Sequence, residues 1–349
     1  MKENQKLKTL IIVPAQFKGG VYNFYKNLSP NLPSNYSLYY LDNKKVKSEN
    51  KLFQTIYHFI KVVKVIKTLE IKKLILNPSL KINSVIRDSL YVLIGLCFNI
   101  KLVVFWRGFN FENIKYLKYP YKLITFLLFK VDTSVVLYSK IGNSLKEMGY
   151  SKKVKLMTTM VNDEVFNFKV KQNLKEATNL IFLSRVEEYK GIYELLKAFD
   201  ILKLKFPNLK LTIAGFGDAL DNVKEEIENK KYKDIFIKGY ITGEEKYSEL
   251  SNSDIFIFPS YSEGMPNAVL EAMAVGLPII TTRVGGLNDF FEDQKMGLFI
   301  ETKSVESIVY KLEHLLKNKN IVNEMSKYNR NFAEINFNST KVTNNFLKI

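Results

Sequence analysis

The chain has 349 residues, 46% hydrophobic and 25% charged, which suits two packed domains and excludes a disordered or fibrous chain. Its single cysteine, Cys97, excludes an intrachain disulfide and fits a reducing, cytoplasmic compartment. The net charge of +17 is unevenly placed: residues 1–170 hold 28 Lys and Arg against 10 Asp and Glu, a net of +18, and the remainder holds 24 against 25, a net of −1. A general lysine bias would charge both halves alike, so the basic half predicts an anionic partner.

The first residues are polar and lysine-rich, and the apolar run after them is too short for a signal-peptide core. From there short apolar runs alternate with segments of helical period. Strands are predicted at 9–13, 38–41, 73–76, 102–105, 134–137 and 154–156, with helices at 20–28, 52–69, 83–97, 119–129 and 140–148; Asn50 is a candidate cap for the second helix. Residues 89–106 are apolar enough to raise a membrane span, but Asn99 and Lys101 interrupt them, and a helix followed by a buried strand is expected. The second half predicts strands at 179–183, 210–214, 235–237, 255–258, 278–281 and 297–300. Helices are expected at 191–205, 220–229, 244–251, 267–275, 305–316 and 321–334, and a last segment at 341–349. Such alternation argues for an α/β fold of two doubly wound, Rossmann-like domains with ligands at the carboxyl ends of their strands. The expected division is a basic domain over 1–168, a linker over 169–178, a second domain over 179–334, and a terminal segment over 335–349 that returns to the first domain.

Three constellations carry chemistry. In the first, a strand ends at Phe258 and a polar loop leads through Glu263, Gly264 and Met265 to Pro266, Asn267 and a helix containing Glu271. Pro266 is expected in the first helical turn, with the N–H groups near it open to a phosphate. Glu263 and Glu271, eight residues apart, would flank that helix start and accept hydrogen bonds from hydroxyls. In the second, Arg185 and Lys190 follow a strand and Gly191 opens a helix, a guanidinium fork and a point charge suited to a pyrophosphate. The third is weaker: Gly215-Phe216-Gly217 and Gly19-Gly20 each follow a strand, where a tight turn and a close approach to an anion are equally served.

These residues resemble glycosyltransferase family 4, whose fold is GT-B, two such domains facing across a cleft. The arginine–lysine loop, the two-glutamate segment and Gly285-Gly286 stand in the family's order. The resemblance implies a retaining, metal-independent transferase using a nucleotide-diphosphate sugar, a UDP-sugar ahead of a GDP-sugar, with no cofactor. It implies that Arg185 and Lys190 bind the diphosphate, that Glu263 contacts the donor sugar and Glu271 the ribose, and that the backbone from Gly264 to Asn267 meets phosphates and sugar. It also matches Gly19 and Gly20 to the family's double glycine and places Ile241, with Tyr240, near the base. The sequence holds no Asp-x-Asp, and His58 and His314 form no ligand cluster; both are expected to be ordinary surface or helix residues. One departure concerns Arg107, which stands where many members have histidine. Arginine is no general base, but it could stabilise charge on a leaving phosphate or hold a sugar hydroxyl.

The basic half interleaves lysines with apolar and aromatic residues over 60–67 and 115–130. That pattern predicts peripheral attachment to the inner face of the cell membrane, where a lipid-linked or saccharide acceptor would be met; an amphipathic helix with its apolar side in the core is the other reading. No nucleic-acid motif accompanies the charge. Two rival functions use the same scaffold, a sugar-nucleotide 2-epimerase and a non-catalytic partner of another transferase.

Overall fold

The computed structural model describes residues 7–14, 20–42, 51–107, 109, 111, 114, 126–168, 170–171 and 177–349. Contacts divide the chain into one unit of Met1–Thr159 with Val342–Ile349, and a second of Met160–Lys341.

The first unit is built on β1 (Thr9–Pro14), β2 (Tyr36–Leu41), β3 (Lys73–Leu76), β4 (Lys101–Trp106), β5 (Thr133–Val136) and β6 (Lys153–Leu156). These form one parallel sheet in the order β2-β1-β3-β4-β5-β6. Its inner strands are apolar runs buried on both faces, as helix-covered parallel strands must be. The helices are α1 (Gly20–Leu28), α2 (Lys51–Thr68), α3 (Ile82–Cys97) and α4 (Ser139–Glu147). Gly95 lets α3 rest on β4, since a Cβ there would stand 2.3 Å from Leu102 Cδ2.

The second unit repeats the plan with β7 (Asn179–Leu183), β8 (Lys210–Ala214), β9 (Ile235–Gly239), β10 (Ile255–Phe258), β11 (Ile279–Thr282) and β12 (Gly297–Ile300). Its parallel sheet runs β12-β11-β10-β7-β8-β9. Its helices are α5 (Ile192–Lys205), α6 (Leu220–Asn229), α7 (Gly243–Ser251), α8 (Asn267–Ala274), α9 (Leu287–Phe290), α10 (Val305–Lys317) and α11 (Lys319–Asn336), and the last helix, α12 (Ser339–Leu347), begins in this unit. One apolar cluster gathers α5 and α10, and another gathers α8 with the aromatic end of α11. The chain builds outward from β7 through β8 to β9, then returns to start β10 beside β7. The order therefore reverses between β7 and β10, the place where such sheets take ligands.

All twelve expected strands are present with ends within two residues of those predicted. The helix expected over 119–129 lies outside the described residues except for a 3-10 turn at Phe126–Phe129, and the Asn50 cap lies outside them as well. The four-residue α9 carried too short a pattern to be foreseen. The division falls at Thr159/Met160, ahead of the expected linker. The cause is packing: Val161 and Val165 are buried in the second unit's core, and Arg330 donates to the Phe166 carbonyl at 2.6 Å. Residues 335–341 stay in the second unit, where the Ser339 N–H donates to Asp163 at 2.8 Å. The rest of α12 belongs to the first unit through Phe346, which packs on Phe24 and Tyr25. His58 is a helix residue of α2, buried, with its Nδ1 3.0 Å from the Tyr39 hydroxyl. Among the described residues no helix is long and apolar enough to cross a membrane.

Candidate functional site

The loops after β7 and β10 meet at the reversal point of the second sheet. Gly191 adopts φ 73°, and a Cβ there would stand 2.2 Å from the Pro259 carbonyl oxygen, so only glycine lets the two loops touch. The Tyr261 N–H then donates to the Tyr189 carbonyl at 2.8 Å. This contact brings Lys190 and Glu263 together as a buried ion pair through Glu263 Oε1. The same oxygen accepts from Ser260 Oγ at 2.8 Å, and Thr282 Oγ1 in turn donates to the Ser260 carbonyl. The Lys190 ammonium also lies 5.0 Å from the Tyr189 ring centroid and 5.6 Å from that of Phe258. A lysine so enclosed, with its carboxylate held by a second donor, has a fixed position from which to meet an anion.

Arg185 is exposed. It reaches the Tyr189 hydroxyl and lies 3.5 Å from Glu187. Burial, the largest influence, holds the Tyr189 hydroxyl above its usual pKa against the pull of Arg185. The structure therefore joins Arg185 and Lys190 through Tyr189, a residue the sequence reading passed over although it lies between them.

Glu263 leads into α8. Pro266 is the N-cap of that helix rather than its first residue: its ψ of 99° is extended, and its carbonyl accepts from Val269 N at 3.1 Å. The N–H groups of Asn267 and Ala268 are thereby left without an intrahelical acceptor. The Gly264–Met265 turn is held from the other side. The Gly286 N–H donates to the Gly264 carbonyl at 2.7 Å, and Gly285, at φ 51°, would put a Cβ 2.2 Å from that oxygen. Met265 covers Gly286, where a Cβ would meet Met265 Cε at 2.3 Å. The glycine pair is thus a buttress for the turn. Gly285→Ala is expected to destabilise the second unit by about 1–3 kcal/mol, from positive φ together with the clash. It should also weaken nucleotide binding about tenfold, since the turn must move; thermal unfolding with and without nucleoside diphosphate checks both.

Glu271 does not stand free on the helix flank. Its Oε1 accepts from Lys246 of α7 at 2.7 Å, and both side chains are largely enclosed. Lys246 was missed because it is 25 residues away in sequence. Ile241 is buried, whereas Tyr240 is exposed and makes an edge contact with exposed Phe216, ring centroids 5.2 Å apart. Gly215 and Gly217 have a structural purpose. Cβ atoms there would stand 1.7 Å from the Ser184 carbonyl oxygen and 2.3 Å from that of Val186, so the loop after β8 lies flat on the loop after β7.

In the first unit Gly20 opens α1 at the carboxyl end of β1; Gly19 lies outside the described residues. Arg107 follows β4. Its guanidinium sits 3.9 Å over the Phe24 ring centroid and 4.9 Å from that of Phe105, and Nη2 donates to Thr159 Oγ1 at 3.2 Å. Nε and Nη1 are sealed from solvent and have no acceptor among the described residues. Burial lowers its pKa to about 10, with nearby Tyr25 opposing, so it stays charged at neutral pH. Among the described residues no group of three or more His, Cys, Asp or Glu is placed to hold a metal ion.

The family model for glycosyl transferases group 1 matches residues 164–332, the stretch that contains both loops and α8. An uncharacterized glycosyltransferase of Methanocaldococcus jannaschii is 27% identical over 183 residues, 52% of this chain and 47% of that protein. The amylovoran biosynthesis glycosyltransferase of Erwinia amylovora is 30% identical over 154 residues, 42% of this chain and 38% of that one. The matches thus span about half or less of these relatives' length. Anabaena HepE, solved in complex with UDP, superimposes with a TM-score of 0.77 at 12% identity, over 98% of this chain and 99% of that one. The chain has the GT-B fold, and its residues 164–332 match the family model of glycosyl transferases group 1.

Proposed function

We propose that this chain is a retaining glycosyltransferase. It would move a sugar from a nucleotide-diphosphate donor, a UDP-sugar before a GDP-sugar, onto a saccharide or lipid-linked acceptor in surface polysaccharide or glycolipid synthesis. The observation that carries the proposal is the Lys190–Glu263 pair beside the open start of α8, at the reversal point of the second sheet. A relative in amylovoran biosynthesis and the UDP complex of HepE support the acceptor and donor classes.

In this reading the bond between the anomeric carbon and the diphosphate oxygen breaks. The electron pair stays on the diphosphate, where Lys190, Arg185 and the N–H groups at the start of α8 stabilise it. Glu263, held by Ser260 and Lys190, accepts hydrogen bonds from donor-sugar hydroxyls, and Glu271 from the ribose. The Phe216–Tyr240 pair offers rings to the base, and the backbone over Gly264, Met265, Pro266 and Asn267 meets phosphates and sugar. The acceptor hydroxyl attacks from the face the diphosphate leaves and gives its proton to the departing phosphate oxygen, so configuration is retained. No metal or cofactor takes part. Gly19 and Gly20 are assigned to the donor, and Arg107 to charge on the leaving phosphate or a sugar hydroxyl. The basic first unit would hold the protein on the inner membrane face.

The test is a panel of nucleotide sugars scored by thermal stabilisation. At a ligand concentration about a hundredfold above Kd the true donor should add about 2.7 kcal/mol. Nucleoside diphosphate should then appear only when a membrane extract supplies acceptor. Interconversion of the nucleotide sugar without acceptor would mark an isomerase, and no stabilisation by any nucleotide sugar would sink the donor assignment.

A further inference from the structure

The apolar residues of α2 and α3 do not all face the sheet. On α2, Val62 and Ile66 are buried, while Phe53, Ile56, Tyr57 and Ile60 are exposed, Phe53 and Ile60 by more than 60%. On α3, Val85, Val92 and Ile94 are buried, while Ile86, Leu90, Leu93 and Leu96 are exposed at helical spacing. The helices lie side by side: Phe59 stacks on Tyr91 at 6.3 Å, and Lys67 Nζ lies 5.7 Å from the Phe98 ring centroid. Their outer faces therefore make one apolar surface across two helices, larger than scattered exposure explains.

Charge decides what covers it. Lys61, Lys64 and Lys67 are exposed beside the apolar residues. Helix α2 has no acidic residue, and the only one on α3, Asp88, is buried and paired with Arg87 at 2.9 Å. A two-fold contact between copies would set these lysines near their own equivalents with no exposed carboxylate on either helix to answer them. An acidic lipid surface answers both features, the apolar residues entering the boundary of the acyl chains and the lysines meeting phosphate headgroups.

We propose that the outer face of α2 and α3 docks on an anionic bilayer. The inference rests on the membrane-attached reading above: the basic pattern over 60–67 falls on α2, and the structure adds the exposed apolar face of α3 beside it. Lys115, Lys118 and Lys122 lie outside the described residues; of that stretch Lys130 stacks over exposed Phe126 at 4.3 Å.

The whole protein is sedimented with vesicles of equal parts phosphatidylglycerol and phosphatidylcholine, and with phosphatidylcholine alone, at low salt and at about 0.15 M. It should pellet with the anionic vesicles at least about tenfold better than with the neutral ones. Combined Phe53→Ser, Ile60→Ser, Leu90→Ser and Leu93→Ser should weaken binding at least about a hundredfold at unchanged thermal midpoint, because each apolar side chain withdrawn from water is worth about tenfold. Combined Lys61→Gln, Lys64→Gln and Lys67→Gln should weaken it most at low salt. Leu204→Ser with Tyr310→Ser, exposed apolar residues of the second unit, should bind as the parent does. Cys97, the sequence's one cysteine, is exposed at the end of α3 and takes a polarity-sensitive dye, whose emission should shift blue on anionic vesicles. Full binding by the four-serine protein would overturn the assignment of this face while leaving membrane attachment standing. No binding by the parent would overturn both. A parent dimer that the four serines convert to monomer would show that the face joins two copies instead.

Discussion

Lys190→Ala is expected to lower kcat/KM for glycosyl transfer by about 10²–10³-fold, the usual loss when a charge-stabilising donor is removed from a transition state. A second loss should accompany it. Lys190 is 6% exposed and its partner's side chain 12%, so the truncation leaves the Glu263 carboxylate enclosed with Ser260 as its remaining side-chain donor. Breaking a buried pair from one side costs about 3–5 kcal/mol, and the lower figure suits a pair not wholly enclosed. The two losses separate in the double variant. Lys190→Ala with Glu263→Gln removes the stranded charge and should recover much of the stability, by a coupling of about 1–3 kcal/mol. It should recover no transfer. Denaturant midpoints and steady-state kinetics on the single and double variants supply the cycle. A single variant that unfolds at the parent midpoint would deny the buried pair, and transfer kept within about tenfold would deny Lys190 its place at the diphosphate.

Much of the second unit was legible because its signals are local. Strands at 255–258 and 179–183 are unbroken apolar runs, and the loops after them carry Glu263, Arg185 and Lys190 within a few residues of each strand end. Alternation of this kind also predicts a parallel sheet, whose reversal point sets those two loops side by side. What the sequence hid is pairing across distance. Lys190 on Glu263, Thr282 on the Ser260 carbonyl and Lys246 on Glu271 join residues from different loops and helices, and nothing in a linear pattern marks them. Pro266 was placed one position too far into α8 because a proline suits both the N-cap and the first turn, and only its ψ separates them. Helix α3 hid more. Ile86, Leu90 and Leu93 recur at the same spacing as its core residues, so the periodicity gives two apolar stripes and does not say which one the sheet takes.

Arg107→Met should make the protein more stable and a poorer enzyme. The guanidinium lies among Phe24, Phe105 and Tyr25 and donates to Thr159 Oγ1, and among the described residues Nε and Nη1 are sealed and have no acceptor. Burial pushes the Tyr25 hydroxyl well above its usual pKa, so it is neutral through the neutral range. Exchanging such a cation for an apolar side chain of similar length relieves desolvation worth about 1–2 kcal/mol, the lower part of the range seen when buried charges are replaced. The pH dependence carries the sign. Arg107 loses its proton more readily folded, at about 10, than a free guanidinium does. The penalty is therefore complete below that value, and wild-type stability recovers only as pH rises above it. The gain from methionine should be flat through the neutral range and shrink in strong alkali. Transfer should fall by about 10²-fold if the guanidinium meets an anion in the reaction. A less stable variant would show that the stack on Phe24 supports the first unit. A more stable variant with full transfer would show that the charge is idle. Stability gained with transfer lost is the combination that a site keeping an unpaired cation for its substrate must give.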